Sequence, residues 1–507
     1  MKLTTVIGLE IHVQLKTKSK MFCSCDNSGE NQPANTTVCP ICMGHPGMLP
    51  VTNRQAVEWS VMAALAIGCE IPKISKFDRK SYFYPDLPKN YQISQLDQPI
   101  GLGGKLMIDT KDGKREIGIT RLHLEEDAAK NFHSPDGKNT LVDYNRSSTP
   151  LMEIVTEPDM RSPQEAKAFA QELRLIMRYL GVSDADMEKG HLRCDANVSL
   201  TDQAPDKIDI KKLHPKTEIK NLNSFKAIER ALEYEIQRQT KLWQEGTPPN
   251  QQSTRGWDEN KGITEEQRFK EEASDYRYFP EPDLPPLNFE PGTPNAIDVV
   301  AIKESLIELP QAKRQRYIEE FDLSAENAKI VTDDKNLADF FEQTISELRA
   351  WLISLGEVEG TSEEIWQKSK AKLAKLAHNW LVNKLMALTY KDGKKLNVTP
   401  ENFAEFITII YENKINSSIA QKLLEIMHTT GKDPSAIMDE QDLGKGVENK
   451  DIEKIADSII AQNPSQVEQY KNGKETLIQF FIGQMMRQTK GQADPEQLKN
   501  ILIHKLK

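Results

Sequence analysis

Strict alternation of apolar and polar residues constrains this chain more than any other feature. Over Ile7-Gly8-Leu9-Glu10-Ile11-His12-Val13-Gln14-Leu15 every odd position is apolar, and the even positions are Gly8, Glu10, His12 and Gln14. A period of two predicts a strand with one buried and one polar face. The same form recurs over 117–125, 151–157, 192–200 and 217–223. Such alternation favours an antiparallel sheet, because strands of a parallel sheet covered on both faces read as continuous apolar runs. Two helices are expected to interrupt it. Ser162-Pro163-Gln164-Glu165 carries a capping signal with proline in the first turn, and Gly181 closes that helix. The second should run from near Ser224 to Gly246.

The stiff segment Pro280-Glu281-Pro282-Asp283-Leu284-Pro285-Pro286 marks a domain edge, and from about residue 293 the pattern turns helical. Leu323-Ser324-Ala325-Glu326 and Thr399-Pro400-Glu401 read as helix starts. The expected class is α+β: a sheet domain with flanking helices over 1–292, a helical domain over 293–405 and an all-α tail over 406–507. Three domains also suit a length of 507 residues. Hydrophobic residues at 38% and charged residues at 28% describe a globular chain rather than a disordered one. No run approaches the length of a membrane span, and Met1-Lys2-Leu3-Thr4-Thr5 leads into the first strand without a signal peptide, so a cytoplasmic protein is expected. The net charge of −10 argues against a chain basic all over. It does not exclude RNA, since a local basic surface can sit on an acidic body.

Four of the six cysteines fall within 23–42 as Cys23-x-Cys25, thirteen residues, then Cys39-x-x-Cys42. Four thiolates in two close pairs suit a closed, structural tetrahedral zinc site, and Pro40 and Gly44 favour a tight knuckle. The alternative is four reduced cysteines packing a loop. Cys69 and Cys194 stand alone and read as core residues.

The polar strand positions are a second constellation. Glu10 and His12 share one face, as do Arg121, His123 and Glu125, then Glu153 and Glu157, then Arg193, Asp195, Asn197 and Ser199. If these faces converge they make a carboxylate-rich concave site suited to Mg²⁺ and, through it, nucleotide phosphates. Periodicity alone favours plain solvent faces, because alternation does not show convergence. Phe77 to Tyr91 interleaves five aromatics with Arg79, Lys80 and Lys89, and Asp275 to Pro280 has the same character. Either segment could hold phosphates or stack on a base, or simply cap the core. The tail from Gly483 to Lys507 is locally basic, which suits an RNA backbone or a solvated helix face. No Walker A loop, no GxGxxG opening a strand–helix unit and no Gly-x-Ser-x-Gly elbow occurs, and no cysteine sits in an amidotransferase-like nucleophile setting.

Taken in order, these segments resemble the GatB family, which forms the tRNA-binding part of the tRNA-dependent aspartyl/glutamyl amidotransferase. The matching stretches include Val6 to His12, Phe77 to Asp86, Tyr91 to Gln95, Arg121 to Lys130, Asp143 to Arg146, Pro150 to Asp159, Leu192 to Ser199, Glu218 to Phe225 and Asp275 to Pro286. Ile482 to Met486 and Thr489-Lys490-Gly491 resemble the family's YqeY-like tail. The resemblance implies a cradle-shaped catalytic domain in which the strand faces do converge, and a tail that binds tRNA. It implies a ligase working in a heterotrimer with an amidase subunit, which releases ammonia from glutamine, and with a small subunit. Such a ligase phosphorylates the side-chain carboxylate of Glu-tRNA(Gln) or Asp-tRNA(Asn) with ATP and Mg²⁺, and amidates it with the ammonia that the amidase supplies. Glu10 and His12 match the family's first metal-site motif and Glu125 the second, which makes these three the implied magnesium ligands. Glu153 and Asp195 carry over as further acidic candidates, catalytic or nucleotide-binding. Arg79 and Lys80 are assigned to phosphate contacts from their charge and setting, not from a family match.

Two departures from the family pattern stand out. Ser147-Ser148-Thr149 replaces smaller residues, often including glycine, and His191 replaces a small polar residue. A tRNA-binding scaffold with a zinc knuckle and no chemistry of its own is the reading from a different class, and a free-standing ligase is a third. Metal-dependent ATP hydrolysis stimulated by charged tRNA separates the enzyme from the scaffold.

Overall fold

A computed structural model describes residues 3–134, 136–205, 207–269, 276–354, 361–393, 396–443, 449–489, 493 and 495–506. Met1, Lys2, Asp275, Lys490, Gly491 and Lys507, named above, lie outside them. The chain divides into two compact units, Met1–Leu309 and Pro310–Lys507.

The first unit is built on a nine-stranded sheet. Its principal strands are β1 (Thr4–Gln14), β5 (Gly113–Glu126), β6 (Pro150–Thr156), β7 (Leu192–Thr201), β8 (Thr217–Leu222), β9 (Ser253–Asp258) and β10 (Ile263–Phe269). The strand β4 (Lys105–Thr110) pairs with β5, and a small second sheet holds β2 (Asp78–Ser81) and β3 (Tyr91–Ser94). The order is β10-β9-β8-β7-β1-β6-β5, which puts β1 in the middle. Pairing is antiparallel except between β8 and β9, which run parallel across a helical crossover.

Alternation in β1 does what the pattern predicts. Ile7, Leu9, Ile11 and Val13 are fully buried, and the even positions form the opposite, polar face. Three helices cover the apolar face: α1 (Arg54–Ala66), α2 (Pro163–Tyr179) and α3 (Phe225–Gln244). Val57 and Val61, Phe169 and Leu173, and Ile228 and Leu232 from these helices join the strand residues in one core. Ser162 and Ser224 cap α2 and α3, accepting from the amides of Glu165 and Ala227. The helix α1 is not among the two expected; its start signal is Asn53, whose side chain accepts from the Ala56 amide.

The segment 117–125 does not keep one phase. Val155 pairs with Arg121 but Thr156 pairs with Ile119, so a bulge at Thr120 flips the strand. Ile117 and Ile119 face the core before it, and Leu122 and Leu124 after it. Glu157, four residues along from Glu153, accepts from Thr120 Oγ1 at 2.7 Å and lies beside Asp159 against Gly118.

The first compact unit runs past the expected edge at 292/293, to Leu309. Ile297 is buried in the core of the first unit, and Val299, Ile302 and Leu309 pack against it, so residues up to 309 belong there. The second unit is helical, with an aromatic core that includes Tyr317, Phe321 and Phe341. The expected division at 405/406 falls inside the helix Pro400–Tyr411, capped by Thr399. Near the C-terminus, Asn449–Gln462, Ile478–Gln488 and Pro495–Leu506 pack around Ile452, Phe481, Met485 and Leu502. Among the described residues no helix is long and apolar enough to cross a membrane.

Candidate active site and metal centres

Register brings the separate polar faces onto one surface. Directly across the sheet, His12 pairs with Arg193 on one side and with Glu153 on the other, and Glu153 pairs with His123. The neighbouring row runs Asp195, Glu10, Val155, Arg121. Cross-strand partners share a face about 5 Å apart. The strands β1, β5 and β6 therefore deliver Glu10, His12, His123, Glu125 and Glu153 to one cluster, with β7 flanking it.

Glu153 is its hub. One carboxylate oxygen, Oε2, lies 3.2 Å from His12 Nε2 and 3.3 Å from His123 Nε2. Glu125 stands 3.7 Å from His12 Nε2 and 3.6 Å from His123 Nε2, and accepts from Ser94 Oγ on β3 at 3.1 Å. Glu10 lies 3.8 Å from His12 Nε2. Burial pushes His123 down, but the Glu153 and Glu125 carboxylates outweigh it and lift it to about 9. His12 is raised by the same two acids against its own burial. Burial also penalises the ionised form of Glu153, yet the two imidazoles hold it well below the usual carboxylate range. Glu10 is raised, by burial first and then by Glu153 and Asp195. The raised histidines and the raised Glu10 both record carboxylates crowded into one place, a setting that attracts a cation.

The other sequence candidates take distinct places. Asp195 sits on the row beside Glu10 and pairs with Lys220 Nζ at 2.6 Å. Arg79 and Lys80, adjacent on β2, point to opposite faces. Lys80 Nζ lies 5.0 Å from the centre of the Tyr276 ring. Burial works against its charge, and Glu125 and Glu153 raise its pKa overall. Arg79 is turned away: it binds Glu281 at 2.7 and 2.9 Å and Asp283 at 3.1 Å, with its guanidinium over the Tyr91 ring. The structure therefore does not bring Arg79 to the cluster. His191 pairs with Glu30 at 2.9 Å.

Residues outside the sequence candidates complete the frame. Asp127 is buried and receives Gln14 Nε2 at 2.7 Å and Arg193 at 2.9 Å, with Arg146 at 3.7 Å. Burial opposes its ionisation, but these partners hold it down at about 2. Lys220 is visible in the sequence only as a polar-face position of 217–223. Beyond Glu10 along β1, a cavity of about 470 Å³ opens over Gly8, walled by Val6, Pro158, Ile210 and Leu213. Asn197 lines it, and its Oδ1 is buried without a hydrogen-bond partner.

The cysteine knuckle forms a separate centre. Ligand atoms of Cys23, Cys25, Cys39 and Cys42 all lie within 4.8 Å of one another. Cys39 and Cys42 sulfurs are 3.9 Å apart, and a tetrahedral Zn–S₄ centre has edges of about 3.8 Å. The Cys39 amide donates to Cys42 Sγ at 3.1 Å. Hydrogen bonds from Cys23 and Cys39 and the nearby Lys20 ammonium hold Cys42 down at about 5, against its burial. Gly44 adopts φ +68, and a Cβ there would strike Lys89 Cγ at 2.4 Å, so the turn after Cys42 needs glycine. The donor set and spacing fit zinc. Cys69 and Cys194 are buried and apart from it.

Comparison with known proteins finds two matching family profiles and full-length relatives. The profile of the GatB/GatE catalytic domain matches residues 5–293, and that of the GatB domain matches residues 362–506. The chain is 42% identical to the aspartyl/glutamyl-tRNA(Asn/Gln) amidotransferase B subunit of Carboxydothermus hydrogenoformans, covering 99% of this chain and 98% of that one. It is 43% identical to the protein of the same name from Moorella thermoacetica and 44% identical to that from Thermoanaerobacter pseudethanolicus, over the full length of each. A profile match across the whole sheet domain and similarity along the full length place this chain in the GatB family of tRNA-dependent amidotransferase subunits.

Proposed function

We propose that this chain is the activating and amidating subunit of a glutamine-dependent tRNA amidotransferase, acting on Glu-tRNA(Gln), Asp-tRNA(Asn) or both. The observation that carries this reading is the Glu153 hub, where three carboxylates and two histidines from separate strands meet on one sheet face. Glu10, His12, Glu125 and Glu153 offer the oxygen and nitrogen donors that would hold Mg²⁺, with Asp195 beside them. A divalent cation there would offset charge on a phosphoryl group in transfer. The cavity over Gly8 accommodates the base and ribose of ATP. Two residues of strand span about 7 Å, so a triphosphate leaving that cavity along β1 reaches Glu10 and His12.

The chain's own groups define the steps. An oxygen of the aminoacyl side-chain carboxylate attacks the γ-phosphorus of ATP, the β–γ bridge breaks, and ADP departs. Lys80, facing the site without a carboxylate of its own, is placed to bind the transferring phosphoryl oxygens. Ammonia then attacks the carbonyl carbon of the acyl phosphate and phosphate leaves, which gives the amide. Glu10, the carboxylate of the cluster whose pKa is raised, is suited to take the proton lost from the nitrogen. The chain has no glutaminase nucleophile of the kind sought in its sequence, so ammonia comes from the amidase subunit of a heterotrimer that also holds a small subunit. The helical tail binds tRNA, the knuckle holds a structural zinc, and the complex works in the cytoplasm.

The test uses the chain with its amidase and small subunits, charged tRNA, ATP, Mg²⁺ and ammonium in place of glutamine. Gln-tRNA or Asn-tRNA appearing together with ADP is the expected result. Bound tRNA with neither amide nor ADP, for both Glu-tRNA and Asp-tRNA, would leave only a scaffold.

A further inference from the structure

Lys20 is buried completely, which is rare for lysine. Its Nζ has two polar neighbours: Cys42 Sγ at 3.9 Å and the Tyr144 carbonyl at 3.4 Å. Among the described residues it forms no ion pair with a carboxylate. An ammonium out of water needs a counter-charge. The thiolates supply one, because four of them around a divalent cation leave two negative charges in a partly buried knuckle.

We propose that Lys20 is the built-in counter-cation of the four-cysteine centre and clasps it to the turn over 143–149. This inference rests on the knuckle holding zinc. The surrounding bonds make the clasp part of a continuous frame. The Lys20 amide donates to the Cys25 carbonyl at 3.0 Å, Ser147 Oγ to the Cys42 carbonyl at 3.2 Å, and the Met21 amide to the Ser148 carbonyl at 2.7 Å. Ser148, at φ +67, donates its amide to the Asp127 carbonyl, and the Asp127 amide donates to the Thr149 carbonyl. Asp127 follows the strand that carries Glu125. The knuckle is thereby bonded, through the turn, to the edge of the candidate active site. Charges and hydrogen bonds placed around the thiolates set how tightly they hold a metal.

The test loads the full-length chain with Co²⁺ under anaerobic conditions and titrates the thiolate-to-metal charge-transfer absorption against a competing chelator. Lys20→Met is expected to weaken Co²⁺ binding about tenfold or more, with Lys20→Arg recovering most of it. Unchanged affinity in Lys20→Met overturns the proposal. A wild-type chain that takes up no Co²⁺ at all overturns the zinc reading itself, and this inference with it. The thermal midpoint decides where Lys20→Met folds poorly. In a Cys42→Ser background the ammonium has lost its nearest thiolate, so adding Lys20→Met should leave the midpoint unchanged or raise it. An equal fall in both backgrounds would mean that Lys20 contributes packing alone.

Discussion

Asp127 is the residue whose removal should reveal how the acidic face is held. Its carboxylate is buried, with the residue 4% exposed, and is shared by Gln14, Arg193 and Arg146. Holding that group at about 2 rather than 3.8 favours its ionised form by about 2.4 kcal/mol. Asp127→Asn removes the charge and turns an amide donor toward guanidinium donors, so the expected loss lies between that figure and the ~3–5 kcal/mol typical of breaking a buried pair. The sign in pH follows from the lowered value. The stabilisation is complete above about pH 4 and disappears as pH falls through about 2. The gap between wild type and Asp127→Asn should therefore stay constant from pH 8 to 5. Freed Arg193 is left to the charges of Glu125 and Asp195, which already act on it, so divalent-cation affinity should fall as well. The assay is denaturant dependence of hydrogen exchange at β5 and β7 amides, which isolates the first unit from the second. A loss below about 0.5 kcal/mol, the range of ordinary surface substitutions, would refute the argument that Asp127 anchors this face.

Three further outcomes are expected. Glu153→Gln keeps the shape of the hub but removes its charge, so amide formation with ammonium should drop by a factor of about 100 or more while charged tRNA still binds; near-normal rates would remove Glu153 from the chemistry. Arg79→Gln leaves the buried Glu281 carboxylate without its main partner and should cost ~3 kcal/mol in stability, whereas Lys80→Met, which breaks no bonded ion pair, should cost less and slow ADP formation; calorimetry beside single-turnover assays distinguishes the two. In the second unit, burial lifts Glu405 to about 6, with the nearby acids Asp433 and Glu401 adding to it and Ser435 opposing. Because the folded value lies above the unfolded one, its contribution is full below about pH 4.5 and is lost as pH rises through about 6. The wild type should therefore lose up to ~1 kcal/mol over that window relative to Glu405→Gln in thermal scans, partial water access reducing the effect; parallel pH profiles would contradict this.

How much of this was legible depends on what a period of two encodes. It assigned Glu10 and His12 to one face of β1, and Arg193 and Asp195 to one face of β7, and both pairs do share a face. It did not reveal which residue stands opposite which. The hub at Glu153 exists because Glu153 falls in register with both His12 and His123, and register is a pairing between distant segments that neither segment encodes alone. The bulge at Thr120 was legible in part, since the apolar run Ile117, Ile119, Leu122, Leu124 skips a step there. Without that step His123 and Glu125 would point into the helical layer. The resemblance to the family supplied convergence where periodicity was silent.

The two cations of β2 show the limit most sharply. Adjacent residues of one charge look equivalent in a sequence, and a phosphate assignment covering both Arg79 and Lys80 treats them so. A strand separates them onto opposite faces, and their partners then diverge. Arg79 meets Glu281 and Asp283 and ties the segment after residue 276 to the small sheet. Lys80 faces Glu125 and Glu153 among tyrosines, without a bonded carboxylate. An arginine held by two carboxylates has little charge left to offer a phosphate, while a lysine held only by a ring and by longer-range attraction keeps its donors for a ligand. The residue left incompletely satisfied by the fold is therefore the one we propose for the substrate, and its neighbour holds the strand that carries it.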